Sequence, residues 1–195
     1  MDLATGLLTG FGLAGAAGLN AYVPLLIVAL AGRFTNWVHL SAPYDALTSW
    51  WAIGALVVLL TIEIFVDKIP AVDTINDAIQ GFVRPAAGAV LFASSTNVIT
   101  DVQPVFALVL GLLVAGGVHA VKATSRPVVT TMGGGLLNPV VSMTEDVVSA
   151  GTSISAILLP LVTFVVFFLL VLGFFLWVRR RKQREDEYSA PSGSA

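Results

Sequence analysis

The chain has no cysteine. Disulfides, thiolate nucleophiles and cysteine-held metals are therefore excluded, and the redox compartment is left undetermined. Histidine is scarce, with two residues, His39 and His119. That is too few for a His-rich metal site, and neither a metal nor a cofactor is expected. No serine–histidine pair is legible either. Ser94, Ser95, Ser142 and Ser149 have no histidine near them in sequence, so an enzyme is not expected. Charge is sparse: 11% of residues are Asp, Glu, Lys or Arg, and the net charge is −2. A nucleic-acid partner would need a basic face, and the only basic run is the tail Arg179–Arg184. The start of the chain lacks a signal peptide's basic residue. Asp2 stands there, and the apolar run outlasts a cleavable segment, so it is read as a retained first membrane helix.

What is present is apolar. Hydrophobic residues make up 56% of the chain, and the mean hydropathy is +0.89. Four or more runs approach the ~20 residues that cross ~30 Å of hydrocarbon as helix. They are continuous rather than alternating, which favours helices over a barrel. The fold class expected is an all-α, polytopic transmembrane helical bundle with about six spans. These are 3–32, 50–66, 84–100, 104–123, 132–151 and 154–178, with a polar loop at 33–49. Residues 69–83 are predicted as a short amphipathic surface helix with a Val72, Ile75, Ile79 and Phe82 stripe. Residues 1–178 form the membrane domain, and 179–195 a disordered charged tail.

Against this background each polar residue is a signal. Residues 61–88 hold six charges: Glu63, Asp67, Lys68, Asp73, Asp77 and Arg84. Glu63 lies inside an apolar run, where charge costs a few kcal/mol, on the order of 2.5–3.5 on insertion scales, and usually marks a functional site. In the first segment, Asn20 precedes Pro24. The pair is read either as a packing kink or as a broken helix lining a site. His119, Lys122 and Arg126 make one face of the fourth span cationic. Segment 132–151 is interrupted at Asn138-Pro139 and carries Glu145 and Asp146, so it is expected inside the bundle or re-entrant.

Lys and Arg gather on cytoplasmic loops. With six spans, all of the ten basic residues except Arg33 fall on one side together with both termini. That predicts a multi-pass protein of the inner (plasma) membrane with cytoplasmic N- and C-termini. It also sets Glu63, Asp67 and Lys68 level with His119, Lys122 and Arg126. A shift of 54 residues lays Lys68 on Lys122 and Pro85 on Pro139, which suggests an internal repeat with a site between two helical pairs.

Four stretches carry a family resemblance. They are GLNAYVPLL, ExxxDKIPxxDxxxDAIxxFVRPxxGA from Glu63 to Ala89, HAVKATSR from His119 to Arg126, and NPVVSMTEDV from Asn138 to Val147. Through them the chain resembles a family of small prokaryotic integral membrane proteins known as a domain of unknown function (family 4126). The resemblance implies a polytopic membrane protein and no activity. A second likeness, to cation/proton exchangers with a Glu-x-Gly-Asp-Lys motif, is departed from at Glu63–Lys68, which has one residue too many and no glycine.

The function expected is a small transporter or ion-coupled permease. Glu63, Glu145 and Asp146 would be its protonatable or cation-binding groups, Asn20 and Asn138 its polar lining, and Lys122 and Arg126 the counter-charges for an anionic substrate. Two alternatives stand beside it. One is a lipid-handling protein using Lys68, Arg84, Lys122 and Arg126 on headgroups. The other is a structural factor whose charges are internal salt bridges. The partners implied are the lipid bilayer and a small ion or anionic substrate. The glycine-rich first segment is available for packing within the protomer or in a homo-oligomer.

Overall fold

The structure, a computed structural model, describes residues 3–66, 70–96, 104–133 and 138–189; within them the side chains of 70–75, 77, 126–133, 175, 177–178 and 181–189 are outside the description. Among the described residues seven α-helices follow one another: α1 (Leu3–Leu19), α2 (Tyr22–Phe34), α3 (Trp50–Val66), α4 (Pro70–Ser95), α5 (Pro104–Gly133), α6 (Asn138–Leu158) and α7 (Pro160–Ser189). A single 3-10 turn, Tyr44–Thr48, lies in the loop before α3. The chain divides into two units. Residues 1–164 hold α1 to α6 and the start of α7, and residues 165–195 hold the rest of α7.

Helix α1 is the centre of the first unit because its side chains are small. Gly6, Gly10, Gly12, Ala14, Ala16, Ala17 and Gly18 are all buried. Gly6 approaches the Ser95 backbone and Gly10 the Phe92 ring, so α1 and α4 run antiparallel in contact. Gly12 faces Ala156 and Thr163, and Gly18 faces Ala115 and Val118. Gly88 of α4 meets Gly111 and Ala115 of α5 in the same way. With hydrocarbon outside, helix association rests on such close backbone approach rather than on burying large apolar groups.

The distribution of polarity is inverted relative to a water-soluble protein. Asn20, Glu63, Gln80, Arg84, Lys122, Ser149 and Ser153 are buried, while Trp51 is 90% exposed and Phe82 83%. Exposed leucine, valine and phenylalanine continue along α3, α5 and α7. Apolar surface on this scale requires an apolar surrounding. Residues Pro104–Ser125 of α5 are long and apolar enough to cross a bilayer, with a mean hydropathy of 2.1. The protein is an all-α, membrane-associated bundle.

Several expectations are corrected by the helix arrangement. The first apolar segment does not run straight. Thr9 and Leu13 of α1 line one small cavity with Val28 of α2 and Val38, whereas a straight helix would hold residues 9 and 28 about 28 Å apart. The chain therefore reverses at Asn20–Ala21, and α2 returns beside α1. The Leu3 end of α1 consequently lies with Ser95, about 16 Å of α4 away from Arg84, and not on the side of the basic residues. Residues 69–83 and 84–95 are not two elements but one helix, α4, that runs through Pro85. Its buried face carries Gln80, Arg84, Ala87 and Leu91, while Ile79 and Phe82 of the predicted stripe face outward. The 154–178 segment is broken at Leu159-Pro160, where Ser155 Oγ meets Thr163 Oγ1. Eight residues of straight helix would separate these by about 12 Å. Helix α7 continues to Ser189, beyond the Arg179 boundary of the predicted tail. The proposed repeat has no structural counterpart at its prolines: Pro85 is inside α4, whereas Pro139 is in the first turn of α6.

The α1 contacts give a direct test. A Cβ at Gly18 would lie 2.5 Å from Val118 Cβ and 2.6 Å from the Ala115 carbonyl oxygen, whereas one at Gly117 meets nothing within 4 Å. Gly18→Ala should lower stability by about 1–3 kcal/mol in thermal unfolding in detergent. Gly117→Ala should leave it unchanged or slightly raised.

Candidate functional site

The reversal between α1 and α2 leaves backbone groups without helical partners, and side chains supply them. Asn20 Oδ1 accepts the N–H groups of Tyr22 and Val23 at 2.9 and 3.0 Å, which caps α2. Pro24, next in the first turn, has no N–H to satisfy. At the end of α1, the Leu19 carbonyl accepts Lys122 Nζ at 2.9 Å, and the Ala16 carbonyl, which also accepts the Asn20 N–H at 3.1 Å, takes a second bond from Ser149 Oγ at 3.0 Å. Each of these partners comes from a different helix, so the break holds α5 and α6 against α1.

The charged residues gather around the same turn. Asn20 Nδ2 lies 2.6 Å from Glu63 Oε2 and 2.8 Å from Asp146 Oδ1, so one amide nitrogen serves two carboxylates. Glu63 turns its other oxygen to Arg84 Nη2 at 3.3 Å, with both side chains almost fully buried. Arg84 Nη1 stands 3.1 Å from His119 Nδ1. A guanidinium only donates, so His119 Nδ1 stands as the acceptor in this contact. Lys122 Nζ pairs with Glu145 Oε2 at 2.7 Å. Gln80, one turn before Arg84 on α4, is 1% exposed and hydrogen-bonds the Tyr22 phenol.

Seven of the predicted residues are therefore brought together: Asn20, Glu63, Arg84, His119, Lys122, Glu145 and Asp146. They come from the break, α3, α4, α5 and α6. Asn138 sits at the start of α6, two turns before Glu145. Asp67 and Lys68 lie outside the described residues, as do the side chains of Asp73, Asp77 and Arg126. Sequence reasoning missed Gln80, Tyr22 and Ser149. Gln80 had one available signal, its i, i+4 spacing to Arg84. Ser149 had another, its i, i+4 spacing to Glu145.

A cavity of about 30 Å³ opens at the other end of α1. Thr9, His39, Ser94 and Ser95 line it with apolar neighbours. Thr9 Oγ1 is buried there with no hydrogen-bond partner among the described residues. The volume suits a single water, which would satisfy that hydroxyl. Arg33, the basic residue at this end, donates to the Thr48 carbonyl at 2.8 Å and lies 4.1 Å over the Trp50 ring.

Compared with known proteins, residues 7–181 match a family described as a domain of unknown function, DUF4126. The match takes in every residue of the cluster. No curated protein and no solved structure matches the chain.

Burial of the Glu63–Arg84 pair makes its energetics testable. Glu63→Leu takes this carboxylate from a buried guanidinium and should cost about 3–5 kcal/mol in unfolding measurements. Glu63→Leu combined with Arg84→Met should recover most of that loss. A double variant no more stable than the single one would show that the two residues do not act as a unit.

Proposed function

The chain belongs to the DUF4126 family, a membership that carries no activity with it, and we propose that it is a small multi-pass membrane permease whose ion-handling site is the charged cluster at the α1–α2 break. The observation that carries this reading is Asn20. A broken helix inside an apolar bundle presents one amide to two carboxylates, Glu63 and Asp146, with two bases, Arg84 and Lys122, within reach of the same turn. Interrupted helices whose ends face charged groups are how secondary transporters build their sites. Lys122 lies 18 residues into α5, about 27 Å from its start. The cluster is then near one edge of the hydrocarbon layer. The basic residues around it, Arg84 and Lys122 with Lys68 and Arg126 nearby in sequence, make that the cytoplasmic edge. The hairpin of α1 and α2 reaches it from the opposite face.

Headgroup binding is the weaker reading. Basic pockets for lipid phosphates open toward the interface, whereas Arg84 and Lys122 are buried and turned inward onto Glu63 and Glu145. A purely structural role would also be poorly served by this arrangement, since a buried ion pair contributes little net stability over an apolar substitute.

The test is flux. In pyranine-loaded proteoliposomes of the full chain, imposed gradients of alkali salts and organic anions should drive proton movement. Glu145→Gln and Asp146→Asn should reduce it to the protein-free background while the purified variants still elute as the wild type does. Undiminished flux in both variants would remove the cluster from the transport path.

A further inference from the structure

The loop after α2 contributes Val38, His39 and Leu40 to the wall of the cavity at the Thr9 end of α1. Its residues alternate in exposure. Trp37 and His39 are exposed, whereas Val38 and Leu40 pack against the buried cluster that contains Leu13, Ala17, Ala21 and Val28. The ends of this strap are hydrogen-bonded. Thr35 bonds the Ala31 carbonyl through its N–H at 3.0 Å and its hydroxyl at 2.6 Å, and its Oγ1 accepts the Trp37 N–H at 3.2 Å. At the other end the Ser41 carbonyl accepts the N–H groups of Tyr44 and Asp45 at 2.8 and 3.2 Å. Between them, Val38, His39 and Leu40 make no hydrogen bond among the described residues. Apolar contact alone holds the middle of the strap down, so lifting it breaks no backbone bond, and such segments open at the low end of local stability.

Beneath the strap the cavity has polar walls. Thr9 is 3% exposed, and its Oγ1 has no hydrogen-bond partner among the described residues. Ser94 and Ser95 both commit their hydroxyl hydrogens to the Leu91 carbonyl, at 2.9 and 2.7 Å, which leaves their oxygens free to accept. Three hydroxyls around one small space in an apolar bundle make a place for water. From Thr9 the i, i+4 positions of the chain are Leu13, Ala17 and Ala21, all buried. They lead to the Asn20 turn, about 16 Å farther along α1. Trp37 and Trp50, 60% and 61% exposed, mark the cavity end as a membrane interface. We propose that Val38–Leu40 is the outer gate of the permease, and that lifting it turns the space beside Thr9, Ser94 and Ser95 into a wet vestibule that admits a small hydrated solute toward the Asn20 turn. The proposal rests on the permease reading and adds its entrance. It requires no change of charge on any residue.

The experiment measures access and needs no transport. The chain has no cysteine, so Thr9→Cys places a single thiol in the cavity wall. Its labelling by a charged, membrane-impermeant methanethiosulfonate is timed in spheroplasts of an expressing bacterium. With the strap intact, labelling should be slow. Adding Val38→Ala and Leu40→Ala removes the contacts that hold the strap and should speed it by about tenfold or more. Trp37→Ala, outside the cavity wall, should leave the rate unchanged. Equal rates with and without the two strap substitutions overturn the proposal, as does labelling that appears only after the spheroplasts are lysed. If Thr9→Cys fails to fold, Ser95→Cys reports from the same cavity. Flux by the wild type is measured separately in proteoliposomes. Flux together with strap-independent labelling would sink the gate and leave the permease reading. Strap-dependent labelling in a protein that moves no ion would sink the permease reading, and the entrance with it, while showing that the strap covers the cavity.

Discussion

A polypeptide that breaks its helix inside an apolar bundle must find partners for the backbone groups it releases. That constraint organises this protein. The reversal at Asn20–Ala21 frees carbonyls at the end of α1 and N–H groups at the start of α2, and lipid offers nothing to bond them. Asn20 caps α2 with its oxygen, Lys122 bonds the Leu19 carbonyl, and Ser149 adds a second bond to the Ala16 carbonyl, which keeps the Asn20 N–H. Three helices are thus tied to one turn by hydrogen bonds. The residues that make those bonds also carry, or directly touch, the charges of the cluster. The fold's weakest point in backbone terms and its only described concentration of buried charge are the same place.

The small side chains of α1 follow from this arrangement. For Lys122 to reach the Leu19 carbonyl and Ser149 the Ala16 carbonyl, α5 and α6 must approach the α1 backbone closely. Gly12, Ala16 and Gly18 permit that approach. The same argument explains how α4 runs through Pro85. The ring lies near Gly116, where a Cβ would come within 3.7 Å of it, so the packing of α4 on α5 accommodates a residue that local propensity would place at a helix end. Arg84 keeps its place on the buried face as a result, one turn after Gln80.

Much of the site was legible because hydrocarbon makes every charge conspicuous. Glu63, Lys122 and Glu145 stood out from apolar runs, and matching their depths set Glu63 level with His119 and Lys122. Asn20 and Pro24 marked the interruption. Direction was not legible. Hydropathy along a chain has no sign, so a segment of 30 apolar residues reads the same whether it passes through or folds back at its middle. That is why α1 and α2 were read as a single span. Gln80 escaped notice because an uncharged amide is common on exposed helix faces. The face of α4 was reversed for a related reason: an amphipathic pattern says which residues share a side, but not whether that side meets water, lipid or protein. In lipid the apolar stripe of Ile79 and Phe82 points out, and the polar side points in.

The cluster ties several helices to one turn through shared bonds. Two of its carboxylates are paired with bases, Glu63 with Arg84 and Glu145 with Lys122. Here Asn20 Nδ2 is shared between Glu63 and Asp146, and Glu63 is itself divided between Asn20 and Arg84. Moving one carboxylate away leaves its partners with another acceptor already in place, so the cost of rearrangement is only part of the cost of breaking a buried charge pair outright. These bonds join α3, α4, α5 and α6 to the turn between α1 and α2. A rearrangement at this turn would therefore alter which helices are tied together.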